Sequence, residues 1–318
     1  MKEEYQQKII EDSVWIDETV GQAVARLAFT TDPTEGLTDN EHIAIRRLKN
    51  VCGKYSGDSS VKDMITKGFE KLINRGHILV YDKLCEEDQK LVDKPGYYIP
   101  WDVAFKQESM STPARPTFDA SSKTAGGCSL NDNLARGKTD LVNLFGMVLG
   151  WLIGPVGIHG DISKFYNSVL LEKTDWRFQK VVWFKDLDPS SPLVKGVVRT
   201  LIYGVRCVSA QTEYVKQLLQ DKVRKEASSP LSEQVANFIR DRFYVDDGGN
   251  SVASIEDAHS LIRETDAALA SIKMYVKGWS MSFHSPSPEV SEDGISVNFA
   301  GMSWLPAIDS YSLKIQPL

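Results

Sequence analysis

From Ser60 to Arg75 the chain reads SVKDMITKGFEKLINR, in which Val61, Met64, Ile65, Phe69, Leu72 and Ile73 recur at the spacing of one helical stripe. Ser60 and Asp63 stand at capping-box spacing and Gly76 ends the run, so the pattern predicts a helix. A second helix is predicted from about Ser254 to Lys277, with Ser254 and Asp257 as the cap and Gly278 as the stop. Between and beyond these lie strand-like runs: VGIHGDI (156–162), QKVVWF (179–184), RFYV (242–245) and GISVNFAGMSW (294–304). The segment RFYV-DDGG-NSV predicts an antiparallel hairpin with acids at its tip. The longest apolar stretch, LVNLFGMVLGWLIGPVGI (141–158), is interrupted by Asn143, four glycines and Pro155. It reads as a buried helix followed by a buried strand, not as a membrane span. Irregular alternation of helices and strands predicts an α+β fold, with helices packed on one face of a mostly antiparallel sheet.

Composition sets the scale. The chain has 318 residues, 42% hydrophobic and 25% charged, enough for one large domain or two ordinary ones. The opening MKEEYQQKIIEDSV carries acids where a signal peptide needs a positive region. Cys52, Cys85, Cys128 and Cys207 are scattered without metal-ligand spacing, which disfavours a disulfide framework and structural zinc. The expected setting is therefore reducing and intracellular, with no membrane partner. The net charge of −6 is localised: residues 1–40 hold three Lys/Arg against nine Asp/Glu. Residues 41–80 reverse the sign, with eight Lys/Arg against Glu41, Asp58, Asp63 and Glu70. That segment is either a phosphate-tracking face or an ordinary solvated helix surface; charge alone does not choose.

The chemistry lies in the acids. Asp246 and Asp247 are adjacent at the predicted hairpin tip, and Asp161 ends the apolar run VGIH. Singly, each is an ordinary turn or capping residue. If strand pairing brings the three to one sheet edge, they repel unless cations sit between them, and hard carboxylate oxygens suit Mg²⁺.

At these residues the sequence resembles a family. A Tyr244-x-Asp-Asp tip, preceded by a strand-terminal Asp161 with Tyr166 five residues later, resembles the palm of a reverse transcriptase. The surrounding blocks resemble the Pao/BEL class of LTR retrotransposons in particular. YYIPWDVAFKQESMSTPARPTFDASSKTAGGCSLNDNL (97–134) is similar to its finger block, and TLIYGVRCVSAQ (200–211) to its glycine-centred template grip. GMSWLPAIDSYSLKI (301–315) is similar to the primer-grip region, with its G-x-x-W and later Asp. The N-terminal AFTTDPTEGLTDNEHIAIRRLKNV and the later LINRGHILV are similar to the first finger segment. The resemblance runs from about Val14 to Ile315.

The resemblance implies a right-hand polymerase fold: mainly fingers in residues 1–155, mainly palm through the primer grip in 156–318, and no thumb, RNase H, protease or integrase. It implies an RNA-directed DNA polymerase using dNTPs on a primed RNA or DNA template, with two Mg²⁺ (or Mn²⁺) ions. Asp161 and Asp246 would hold the metals, Asp247 would complete the acidic site, and the Ile162 backbone would add an oxygen. Tyr166 would be the steric gate against a 2′-hydroxyl. Lys106 and Arg115 would grip the triphosphate, Arg by bidentate geometry and Lys as a point charge, while Asp119 would steady Arg115 and its hairpin. Gly204 would let the backbone approach the nascent base pair, and Gly301 and Trp304 would form the primer grip.

Two positions depart from the family pattern. Val208-Ser209 stands where the template grip has a small residue and proline, and Phe283-His284 stands where the family has Lys-Trp. His284 is then the candidate general acid toward pyrophosphate. Whether a separate chain supplies a thumb and RNase H, or the sequence is a fragment of a longer polyprotein or a host-retained gene, is open at this point; the resemblance implies an intracellular setting, in a cytoplasmic retrotransposon particle or the nucleus. Two alternatives remain: a noncatalytic descendant that binds nucleic acid or protein, and another palm-type nucleotidyl transferase such as a nucleotide cyclase, which leaves the finger block unexplained.

Overall fold

The computed structural model describes residues 2–34, 36–105, 114–138, 141–282, 296–299 and 302–313. Within them the helices are α1 (Lys2–Asp12), α2 (Glu41–Lys54), α3 (Ser59–Asn74), α4 (Glu86–Val92), α5 (Leu144–Ile153), α6 (Val208–Glu226), α7 (Ser232–Asp241) and α8 (Ile255–Ala270). The strands are β1 (Val14–Asp17), β2 (Gln22–Ala25), β3 (Ile78–Val80), β4 (Trp101–Phe105), β5 (Ala114–Phe118), β6 (Val156–Ile162), β7 (Leu170–Leu171) and β8 (Lys180–Phe184). They continue as β9 (Leu193–Val198), β10 (Phe243–Tyr244), β11 (Asp247–Val252), β12 (Val276–Met281), β13 (Val297–Phe299), β14 (Met302–Leu305) and β15 (Ser310–Leu313). The sheets are small and mostly antiparallel, as the alternating pattern predicts.

The chain forms two compact units, and each is assembled from separated stretches. The first takes residues 1–15, 24–138 and 169–211; the second takes 16–23, 139–168 and 212–318. The two interleave along the chain, and sheets such as β3-β9-β8 and β10-β11-β6-β12 join strands from distant segments. In the first unit the order is β3-β9-β8, beside a β4-β5 hairpin. Phe69 of α3 sits with its ring 4.4 Å from that of Trp101, whose indole N–H donates to the Val182 carbonyl at 2.8 Å.

In the second unit the order is β10-β11-β6-β12. A separate β13-β14-β15 sheet packs on α5 through a cluster of Met147, Trp151, Phe299 and Trp304. The Trp151 ring meets those of Phe299, Trp304 and Tyr311 edge-on at 4.5, 4.9 and 5.0 Å. Such pairs each add about 0.5–1.5 kcal/mol beyond the area they bury.

Three local expectations are corrected. Asp58, not Ser60, caps α3, its carboxylate accepting the Val61 N–H at 3.0 Å. The Ser254 cap of α8 forms as predicted, but the helix ends at Ala270. Lys273 turns to φ 58° and residues 276–281 are taken up by pairing with β6, so Gly278 lies inside a strand. The apolar run yields α5, but this helix is not buried all round. Met147 and Trp151, one turn apart, face the core, while Phe145 (72% exposed) and Ile153 (83%) face outward. Among the described residues no helix is long and apolar enough to cross a membrane.

Candidate active site

Strand β6 buries Val156, Ile158 and Ile162 and leaves Asp161 open at its end. Beside it β11 runs antiparallel with Asp247 opposite Asp161, Gly248 opposite Gly160 and Gly249 opposite His159. Tyr244 of β10 pairs with Asp247, and Phe243 with Gly248. The hairpin tip is therefore the two residues Val245 and Asp246, tighter than the DDGG tip the sequence suggests. Asp247 already belongs to β11. Gly248 is required by close approach rather than by the turn, since a Cβ there would lie 2.4 Å from the Phe243 ring.

The tip holds an unusual backbone. Val245 adopts φ 59°, a left-handed conformation that a β-branched residue disfavours and that glycine normally supplies in such turns. The turn is tied back by two hydrogen bonds: the Ile162 N–H donates to the Asp246 carbonyl at 2.8 Å, and the Gly249 N–H to the Arg242 carbonyl at 2.9 Å. Backbone strain held by its surroundings is characteristic of functional sites.

Electrostatics set these acids apart. Partial desolvation at the strand end, and then the charges of Asp246 and Asp247, raise the Asp161 carboxyl to about 6, with Lys277 and His159 opposing. Burial and the Asp247 charge also raise Asp246, against its own backbone N–H and Lys216. Asp247 has a further partner, with its Oδ1 2.5 Å from Nε2 of the buried His159, whose ring stands edge-on to Phe299 at 5.2 Å. His159 and Asp161, two residues apart on β6, share one face of the strand.

The donor chemistry fits Mg²⁺: hard oxygens, with mutual repulsion that a cation would relieve. Among the described residues no three His, Cys, Asp or Glu side chains stand together as a ready ligand set. Asp161 and Asp246 are the pair available to hold a cation, while one Asp247 oxygen is committed to His159.

The remaining predicted residues are distributed unevenly. Tyr166 opens a short 3₁₀ turn after β6, half-buried, its ring 5.7 Å from that of Phe165. Ile162 is buried and tied through its N–H to the turn. Trp304 is fully buried and donates its indole N–H to Asp309 Oδ1 at 3.0 Å, so it holds the β13–β15 sheet rather than offering a contact surface. Arg115 is exposed on β5 opposite Ala104, in the first unit. Asp119 accepts from the Ser121 N–H at 3.1 Å and from Arg47 at 3.5 Å. Gly204 takes φ 100°, and a Cβ on it would lie 2.2 Å from the Phe118 carbonyl oxygen. Lys106, His284 and Gly301 lie outside the described residues.

Sequence reading missed three neighbours of the acids: His159, Lys277 and Lys216. The i, i+2 spacing of His159 and Asp161 was a usable signal. Lys216 had none, because Glu213 and Lys216 at i, i+3 on α6 read as a surface ion pair, whereas both are buried.

No protein-family model matches the chain, and no curated protein matches it. Among solved structures it is similar to the foamy viral protease-reverse transcriptase in complex with RNA/DNA hybrid, at 14% identity over 80% of this chain, with a TM-score of 0.49. The match spans 27% of that chain's length.

Proposed function

We propose that this chain forms fingers and palm of an RNA-directed DNA polymerase resembling those of Pao/BEL retrotransposons. The observation that carries the reading is the register that sets Asp161 opposite Asp247, with Asp246 in a strained two-residue turn beside them. The ordered sequence blocks on either side support it. Asp161 and Asp246 would hold Mg²⁺, which when bound supplies activation of a primer 3′-hydroxyl and stabilisation of departing pyrophosphate. In that reaction the primer 3′-hydroxyl would lose its proton to solvent and its oxygen would bond the α-phosphorus of the dNTP as the bond to pyrophosphate breaks. Tyr166, just beyond Asp161, would exclude a 2′-hydroxyl.

The test is extension of a DNA primer on an RNA template with dNTPs, comparing wild type with Asp246→Asn. Extension by wild type and none by the variant is the expected result. No extension by wild type in Mg²⁺ or Mn²⁺ at low salt would reject the reading. One observation favours a second reading, a noncatalytic nucleic-acid-binding descendant: one Asp247 oxygen is engaged by His159. Salt-sensitive RNA/DNA binding without extension would select it.

A further inference from the structure

Helix α6 sends one side chain under the acidic turn. Lys216 is 1% exposed, and its ammonium donates to the Phe243 carbonyl at 2.8 Å and to the Val245 carbonyl at 3.3 Å. Its Nζ also lies 2.7 Å from Glu213 Oε2, and the Phe165 ring covers it with the centroid at 5.6 Å. An ammonium has three hydrogens, and here three acceptors surround it. Two of those acceptors are backbone carbonyls of the hairpin that carries Asp246, one of them on the residue held at positive φ.

A buried ion pair is a poor device for stability alone, because desolvation cancels much of its attraction and an apolar pair of similar volume often does as well. Its better-attested use is to specify one arrangement over others. A two-residue tip with a β-branched residue in a left-handed conformation needs such specification, since relaxation of Val245 would swing Asp246 away from Asp161.

We propose that Lys216, neutralised by Glu213, is a positioning residue that pins the Val245–Asp246 turn and thereby sets Asp246 beside Asp161 for cation binding. The role rests on the polymerase reading for its purpose, but not for its geometry. Lys216 touches no substrate and acts only through the turn.

The test replaces the buried pair together, Glu213→Leu with Lys216→Met, which avoids stranding one charge in the interior; Lys216→Met alone is the harsher companion. Two readouts apply. Amide hydrogen exchange follows the Ile162 and Gly249 N–H groups, whose acceptors are the Asp246 and Arg242 carbonyls, with the β14–β15 amides as the reference. Mn²⁺ binding is titrated on the same proteins. In the folded double variant the two turn amides should exchange at least about tenfold faster than in wild type, with the reference amides unchanged, and Mn²⁺ affinity should fall by about tenfold or more. Exchange that rises equally everywhere, or not at all, would overturn the proposal, as would wild-type Mn²⁺ affinity in the double variant. If wild type neither binds Mn²⁺ nor extends a primer, the polymerase reading falls, and the exchange comparison alone decides whether Lys216 holds the turn.

Discussion

Replacing Gly204 by alanine separates two explanations of the same glycine. The family resemblance makes it a place where template and nascent base pair approach the backbone. The structure gives it an internal reason: φ is 100°, a Cβ would stand 2.2 Å from the Phe118 carbonyl oxygen, and its own carbonyl accepts from Asn131 Nδ2 at 2.9 Å. An L-residue at positive φ costs about 1–2 kcal/mol. Pushing a methyl into an oxygen well inside contact distance, with the shift it forces on β5, adds about 1–3 kcal/mol. The sum, about 2–5 kcal/mol, is a large share of the ~5–15 kcal/mol that stabilises a typical domain. In urea, with a slope of about 2 kcal/mol/M, Gly204→Ala should lower the unfolding midpoint by about 1–2.5 M without any nucleic acid present. The measurement is a urea titration followed by tryptophan fluorescence, with the exposed-helix variant Gly53→Ala as control, since nothing lies near a Cβ there. A Gly204→Ala midpoint within 0.3 M (roughly 0.6 kcal/mol at that slope) of wild type would refute the packing argument and leave contact with substrate as the reason for the glycine.

Three further outcomes are expected. Asp309 Oδ1 accepts from Ser282 Oγ at 3.0 Å, Trp304 Nε1 at 3.0 Å and Tyr311 OH at 2.9 Å, so Asp309→Ala should cost about 3–5 kcal/mol by stranding these donors. Asp309→Asn, which keeps an acceptor and tolerates the φ of 48°, should cost clearly less; equal midpoints for the two would reject the hub. Asp161 has a folded-state pKa raised from 3.8 to about 6, so its ionised form destabilises the metal-free fold at pH 7, and stability returns as pH falls through about 6. Asp161→Asn should therefore melt above wild type at pH 7, and the gap should shrink at pH 5; a gap that widens at pH 5 contradicts the repulsion. Tyr166→Ala should raise rNTP incorporation relative to dNTP in primer extension, and unchanged sugar selectivity would remove it from the gate.

Much of the local structure was legible because it follows from short-range rules. The VGIHGDI strand, the stripe of α3 and the Ser254 cap each depend on side-chain periodicity or on a bond spanning three residues. The end of α8 was not legible. Nothing near Ala270 in the sequence forbids more helix, and the strand that begins at Val276 exists because β6 is there to pair with it. Similarly, the apolar run of α5 does not say which side finds partners. Phe299 and Trp304, remote in sequence, cover Met147 and Trp151 and leave Phe145 and Ile153 outside.

The same division holds at the site. By itself the sequence determined the candidates, Asp161 at the end of an apolar strand and Asp246 and Asp247 adjacent in a predicted hairpin tip, because strand periodicity and turn composition are local signals. Only the tertiary structure decided their relations: Asp161 opposite Asp247, Asp246 at a left-handed tip, Asp247 shared with His159, and Lys216 beneath the turn. The physical reason is that register and burial are set by pairing between distant segments. A one-residue slip would send the acids to opposite faces, and a lysine on a helix is buried or solvated according to what packs above it.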